Sequence, residues 1–409
     1  TPLLPARDSA TNLRAVHVVL GTHHLIAAAG SDTYLMTVAE QLQRLSHEVT
    51  IYALDQGEMA DLARRKGLHV TVREPDLPEA PDAVLSQDTV TAYQLAEQYP
   101  HVTQVFVCHS DLFGIDTPPQ LPGATGALVV MSERVRRHVE SLAVAPEIVR
   151  LRQPIDLHRF SPNGAVRERP RKVVAIGNYL TGPRRQVLVD ACRQLGLELS
   201  FFGTEDGPTE YPEDEMARAD IVVGKSRVVL EAMACGRAAY VFDFLGSDGW
   251  ITPDSYPRLE ADAFLGRAGD QPVTAERVRE ELGAYEPGMA MVNRDLALAH
   301  HDAVRHVQEL VALFRRLAEQ ERGPLPDNTP LAEMAMMSRR QWLLEAEVHH
   351  LRDRLLRLEG ELAHQHDRSD KAEELTGQAL AALEEIKRSR RYRLAERLVG
   401  PLERLRRRQ

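Results

Sequence analysis

Residues 219–243 do most to limit what this chain can become. They read as a short apolar strand (221–223), a break at Gly224, a helix from about Ser226 and, after Cys235-Gly236, a second apolar strand from Ala238 to Phe242. Two buried strands joined by one helix in so few residues make a βαβ unit, which calls for a parallel sheet with helices on its faces. Lys225 at the helix start and Glu231 in its second turn put one basic and one acidic group at the mouth of that sheet. Nucleotides bind at this edge in α/β folds, beyond the carboxyl ends of the strands.

The same alternation runs through most of the chain. Apolar runs predict strands at 15–20, 49–53, 69–72, 83–85, 103–107, 127–131 and 148–151, then at 173–176 and 198–202, with helical patterns such as 185–195 between most of them. At 409 residues the chain is too long for one ordinary core, so two Rossmann-like halves and an extension are expected. The first half covers 13–160, a Pro- and Gly-bearing linker 161–170 and the second half 171–292, and helical sequence at 293–322 packs back on the first half.

After Gly323-Pro324-Leu325-Pro326 the pattern changes. Leu344, Val348, Leu351, Leu355, Leu358 and Leu362 recur at spacings of four and three with charged residues between, a heptad seam within residues 338–388. It reads as a self-associating coiled coil, the other reading being a long helix lying along its own domain. Residues 386–409 hold ten Lys or Arg against two Glu, about +8; with the chain's formal −10 this leaves −18 on the rest. The tail at 389–409 suits either an anionic membrane surface or plain solvation. The acidic body argues against nucleic acid.

The 43% of hydrophobic residues is normal for a soluble protein, and no apolar run approaches the ~20 residues of a membrane span. The first fourteen residues lack the apolar core of a signal peptide. Cys108, Cys192 and Cys235 are odd in number and far apart in apolar sequence, which predicts buried free thiols and a cytoplasmic location, with the inner membrane face as the tail's place of contact. Lysine is scarce, five against 45 arginines, so each lysine carries more information than usual.

Leu230-Glu231-Ala232-Met233-Ala234-Cys235-Gly236 resembles the donor-binding segment of GT-B glycosyltransferases of family 4. Gly30-Ser31 is similar to the family's Gly-Gly loop, and Ser46-His47-Glu48-Val49 to its Gly-His-Glu-Val. Ser132-Glu133 and the stretch Asp156, Phe160, Pro162 resemble further family segments, the latter as an interdomain strap. The resemblance implies a GT-B architecture, α/β with two Rossmann-like domains. It also implies a nucleoside-diphosphate sugar donor, a UDP or GDP sugar, and an acceptor hydroxyl. Glu231 would take the ribose, and His109, past the fifth strand, would lie near the donor sugar. Gly177, Asn178, Gly224, Ser226 and Arg227 line the donor turns.

The chain also departs from that pattern. Asn178 stands where the family has a diphosphate-binding arginine, and the nearest cations are Arg184 or Arg185, with Lys225 as a second. Val223 replaces the first of the family's two glutamates and the turn after it is some four residues shorter, which leaves retention or inversion open. An inverting reaction needs a base, for which His109 and Asp111 are the candidates; a retaining one lets the departing phosphate take the proton. No Asp-x-Asp follows a strand and no Cys or His pair has zinc spacing, so the expectation is metal independence with no cofactor beyond the donor. Asp248-Gly249-Trp250 and Asp254 are further pocket candidates. A GT-B-shaped sugar-nucleotide epimerase and a non-catalytic scaffold of a polysaccharide-building complex are the other two readings.

Overall fold

The structure, a computed structural model, describes residues 14–27, 29–142, 146–203, 206, 207, 209, 211–243, 246–269, 273–320, 325 and 329–388. Contacts divide the chain into a body ending at Ala346 and a second beginning at Glu347.

The first half of the larger body runs β1 (His17–Leu25), α1 (Gly30–Arg44), β2 (Glu48–Gln56), α2 (Glu58–Arg65), β3 (His69–Thr71), β4 (Ala83–Ser86), α3 (Thr89–Gln98), β5 (Gln104–Cys108), β6 (Ala127–Val130), α4 (Glu133–Ser141) and β7 (Glu147–Arg150). Its seven strands are all parallel, in the order β3-β2-β1-β4-β5-β6-β7. Val18, Val19 and Leu20 are fully buried, as a strand covered by helices on both faces requires.

The second half runs β8 (Lys172–Ile176), α5 (Gly182–Leu195), β9 (Glu198–Phe202), α6 (Pro212–Arg218), β10 (Ile221–Gly224), α7 (Arg227–Ala234), β11 (Ala238–Phe242) and β12 (Ser247–Trp250). Its sheet has the order β12-β11-β10-β8-β9, parallel except for β12. Strand order reverses between β1 and β4 in one sheet and between β8 and β10 in the other. Those two crevices are where a doubly wound sheet presents loops to a ligand.

Helices α8 (Tyr256–Ala261), α9 (Ala275–Gly283), α10 (Gly288–His300), α11 (Ala303–Ala318) and α12 (Leu331–Arg388) follow. The helical sequence at 293–322 holds parts of two helices, not one: Asp302 caps α11 through Val304 N–H (2.9 Å), and Ile155 N–H bonds the His301 carbonyl (2.8 Å) in the gap. Val307, Leu310, Val311, Phe314 and Leu317 of α11 then complete the first half's core.

Three other expectations change. The first strand continues past Gly21 to Leu25; Gly21 is mid-strand, and a Cβ there would lie 2.6 Å from Leu95 Cδ1 of α3. Asp248 to Trp250 form the edge strand β12, with Asp248 accepting from Gly269 N–H (2.7 Å) and Trp250 Nε1 donating to the Glu281 carbonyl (2.7 Å), so both serve packing. The seam read from residue 338 begins inside the first body: Arg339, Trp342 and Glu345 engage its first half, while Leu344, Val348, Leu351, Leu355 and Leu358 are exposed. The basic tail at 389–409 lies outside the described residues, as do residues 1–13.

All three cysteines are free and buried. Among the described residues no helix is long and apolar enough to cross a membrane.

Candidate active site

The turns after β8 and β10 meet at the second switch point because both are built without side-chain bulk. A Cβ on Gly224 would lie 2.5 Å from Val228 Cγ1, and one on Gly177 would lie 2.4 Å from the Tyr179 ring. Ser226, the residue before α7, has φ 48° and ψ −122°, a conformation costing of order 1–3 kcal/mol for a residue with a Cβ. Its N–H bonds the Phe264 carbonyl at 2.9 Å, which helps hold the turn. No side chain caps α7, so its first turn presents backbone N–H groups toward the carboxyl edge.

One turn into α7, Glu231 is buried, and burial pushes its pKa up against the opposing charge of Arg227. Arg227 Nε bonds Glu231 Oε1 at 2.7 Å. The same guanidinium reaches Thr37 Oγ1 on α1 (2.9 Å) and the Pro154 carbonyl (3.2 Å), so it joins the two halves at the cleft. Beside it Asp156 accepts from Arg44 Nη1 (2.6 Å) and from His158 N–H (3.0 Å), with Phe160 buried next to it in the strap between the halves.

The four cations named from sequence differ in what they hold. Lys225 Nζ lies 2.8 Å from Asp243, a fully buried carboxylate, and 4.1 Å from the Tyr179 ring centroid. Arg185 forms two hydrogen bonds with Asp206 and stacks 3.8 Å from the Phe201 ring centroid. Arg227 holds Glu231. Arg184, half-buried in the first turn of α5, has no hydrogen bond or ion pair among the described residues. Asn178 sits past β8, its Oδ1 3.3 Å from where a Cβ on Gly203 would lie.

Across the cleft, Gly30 and Ser31 start α1. Nothing lies within 4 Å of a Cβ built on Gly30, so the space before it is open. Asp32 is fully buried in the first turn, and burial raises its pKa to about 7 against the Ile26 and Ala27 backbone N–H groups. His109, past β5, pairs through Nε2 with Gln87 Oε1 (2.9 Å) and meets the Tyr34 ring edge-on at 5.0 Å. Burial lowers its pKa to about 3, so it is neutral at physiological pH. For Asp111, burial pushes the pKa up, but the Arg134 hydrogen bond (2.8 Å), the Arg134 charge and its own backbone N–H together outweigh it and the net shift is downward. Arg134 also approaches Asp262 of the second half at 3.4 Å.

The structure therefore groups Gly177, Asn178, Arg184, Gly224, Lys225, Ser226, Arg227 and Glu231 on the carboxyl edge of one sheet, and Gly30, Ser31, His109 and Asp111 on that of the other. Sequence reasoning missed His23, His24, Asp88 and Trp342, which also lie at the first sheet's carboxyl edge. The two adjacent histidines ending an apolar strand were the available signal.

No protein-family model and no curated protein matches the sequence. Among solved structures the chain is similar to Anabaena Alr3699/HepE in complex with UDP and glucose, at a TM-score of 0.54 and 12% identity, over 73% of this chain and 99% of that one. The complex of the same protein with UDP-glucose gives 0.52 and 12%, over 74% and 100%. A glycosyltransferase from Rickettsia africae ESF-5 gives 0.51 and 11%, over 75% and 100%. Likeness at these identities shows the fold: two parallel Rossmann-like sheets in the GT-B arrangement.

Proposed function

We propose that this chain is a glycosyltransferase that moves a sugar from a nucleoside-diphosphate sugar, a UDP-sugar, to an acceptor hydroxyl in bacterial glycan, glycolipid or glycosylated natural-product synthesis. The observation that carries the reading is Glu231, a buried carboxylate one turn into a helix that starts at the β8/β10 switch point. A carboxylate there can accept both ribose hydroxyls while the uncapped helix start faces the diphosphate. The solved complex of the same fold with UDP and glucose supports UDP as the donor nucleotide.

In this reading Arg184 supplies the cation for the diphosphate, and Arg227 turns from Glu231 toward the phosphates when the ribose enters. Lys225 and Arg185 keep the donor turns in shape through Asp243 and Asp206. Stabilising the leaving diphosphate with these groups and backbone N–H groups needs no metal ion. His109 and Asp111 flank the acceptor side. A neutral imidazole with a pKa of about 3 and a carboxylate tied to Arg134 are both weak bases, which favours the departing phosphate as proton acceptor and retention of configuration. The exposed leucine seam of α12 supports association with a second copy of the chain.

Val223 is fully buried in β10, so no side chain from that position reaches the sugar, which favours the scaffold as the second reading. Calorimetric titration with UDP, GDP, ADP and dTDP separates the two. UDP should bind, and Glu231→Gln should weaken it at least tenfold, about 1.4 kcal/mol. No binding by any of the four moves the assignment to the scaffold; turnover of the donor without an acceptor moves it to an epimerase.

A further inference from the structure

The first turns of α12 lie over the carboxyl edge of the first sheet. Leu331 and Ala335 are buried with Val90 and Tyr93 of α3, and Arg339 Nη2 bonds Asp55 at 2.7 Å. Gly114 N–H donates to Glu345 Oε2 at 2.9 Å. A Cβ on Gly114 would lie 2.5 Å from Gln341 Nε2 and 2.7 Å from Glu345 Oε1, so the turn after β5 is shaped to receive this helix.

The helix brings Trp342 to the switch point. Its ring meets His23 edge-on at 5.1 Å and Phe113 at 5.7 Å, and lies nearly parallel to His24 at 6.3 Å. Trp342 is only half-buried, so part of its ring stays open. His23 is 5% exposed and its Nε2 has no hydrogen-bond partner among the described residues. Burial keeps both imidazoles neutral, with pKa values lowered to about 4.

Apart from Arg339, the ionisable side chains around this wall are acidic. His24 Nε2 lies 3.6 Å from Asp32 and His23 Nδ1 3.9 Å from Asp88. Asp116, hydrogen-bonded by Ser110 at 2.6 Å, is raised to about 7 by burial and then by the nearby negative charges of Asp88 and Glu345. Arg339, the cation of this cluster, is paired with Asp55.

We propose that Trp342, with Phe113 and His24, forms the acceptor-binding wall of the cleft, and that the acceptor it takes is an uncharged or amine-bearing sugar rather than a phosphorylated or carboxylated one. An indole face suits the C–H face of a pyranose, and the unpartnered His23 nitrogen is a polar partner for a hydroxyl or ammonium group. A surrounding negative potential raises the cost of bringing in an anion. The proposal rests on the transferase reading.

The test is a glycan array of neutral, amino, phosphorylated and carboxylated sugars, probed with the full-length protein in the presence of UDP, beside a separate UDP titration. Neutral or amino glycans should bind. Trp342→Ala should lose at least tenfold of that binding while UDP affinity stays within twofold. Trp342→Leu keeps an apolar contact if the alanine variant fails to fold, and should lose glycan binding similarly. A preference for anionic glycans, undiminished binding by the variants, or no glycan bound while UDP binds overturns the wall. Glycan binding that depends on Trp342 without UDP binding supports the wall and removes the transferase reading instead.

Discussion

Arg227→Met should destabilise the protein in a pH-dependent way. Both side chains of the Arg227–Glu231 pair are about nine-tenths buried, at 11% and 10% exposure, with 2.7 Å between them. Removing one partner of such a pair typically costs about 3–5 kcal/mol, because the other charge is left buried without compensation. Glu231 has an escape: it can take up a proton at a cost of about 1.4 kcal/mol per pH unit above the ~4.3 of an unfolded glutamate. The electrostatic penalty is therefore limited to ~4 kcal/mol at pH 7.5 and ~1 kcal/mol at pH 5. Lost hydrogen bonds to Thr37 and Pro154 add about 1 kcal/mol at either pH.

The sign follows from linkage. In the variant the folded-state pKa of Glu231 rises further above its unfolded value, so the native state holds the extra proton and stability falls as pH rises. For a body of roughly 330 residues the melting entropy is about 0.7 kcal/mol/K. The variant should thus melt ~7 °C below wild type at pH 7.5 and ~3 °C below it at pH 5. Calorimetry of both proteins at the two pH values is the assay. A deficit equal or larger at pH 5 would refute the claim that Glu231 is left as an uncompensated buried charge.

Other positions give shorter predictions. Lys225→Met should cost about 3 kcal/mol by stranding buried Asp243, with most of it regained in Lys225→Met/Asp243→Asn, whereas Arg184→Ala should leave melting within ~1 °C yet weaken UDP about tenfold; melting curves and titrations measure both. Gly21→Ala should cost about 1–3 kcal/mol by pressing on Leu95, and Leu95→Ala in the same chain should recover little beyond that clash, as read by urea unfolding. Ser46 sits at φ 65°, where glycine is unstrained, so Ser46→Gly should raise stability by about 0.5–1 kcal/mol in the same assay. Light scattering should show the full chain as an oligomer and Leu351→Lys/Leu358→Lys as a monomer; unchanged mass would remove the leucine seam as the contact.

Local pattern alone determined the two-sheet plan and the placing of Glu231. Strand and helix periods are short-range properties, and glycines such as Gly224 mark βα turns because the backbone must pass close to its neighbours there. Ser46-His47-Glu48-Val49 was read from a resemblance, and the φ of 65° at Ser46 came only with the structure. The length of β1 was not legible, because Gly21 and the polar residues after it resemble a turn until α3 and α12 cover them.

Which charge pairs with which was decided only by tertiary structure. Lys225, Arg184, Arg185 and Arg227 look alike in sequence, and they separate only when Asp243, Asp206 and Glu231 are brought beside three of them. Arg227 meets Thr37 across 190 residues, and Trp342 reaches His23 from the far end of the body. Contacts at such separations leave no local periodicity, and a heptad pattern that begins near residue 338 conceals the turns of α12 that pack on the first sheet. Burial, which sets whether a histidine or aspartate is charged, is likewise a property of everything packed around it, so the neutral His109 and the raised Asp32 emerge from the fold alone.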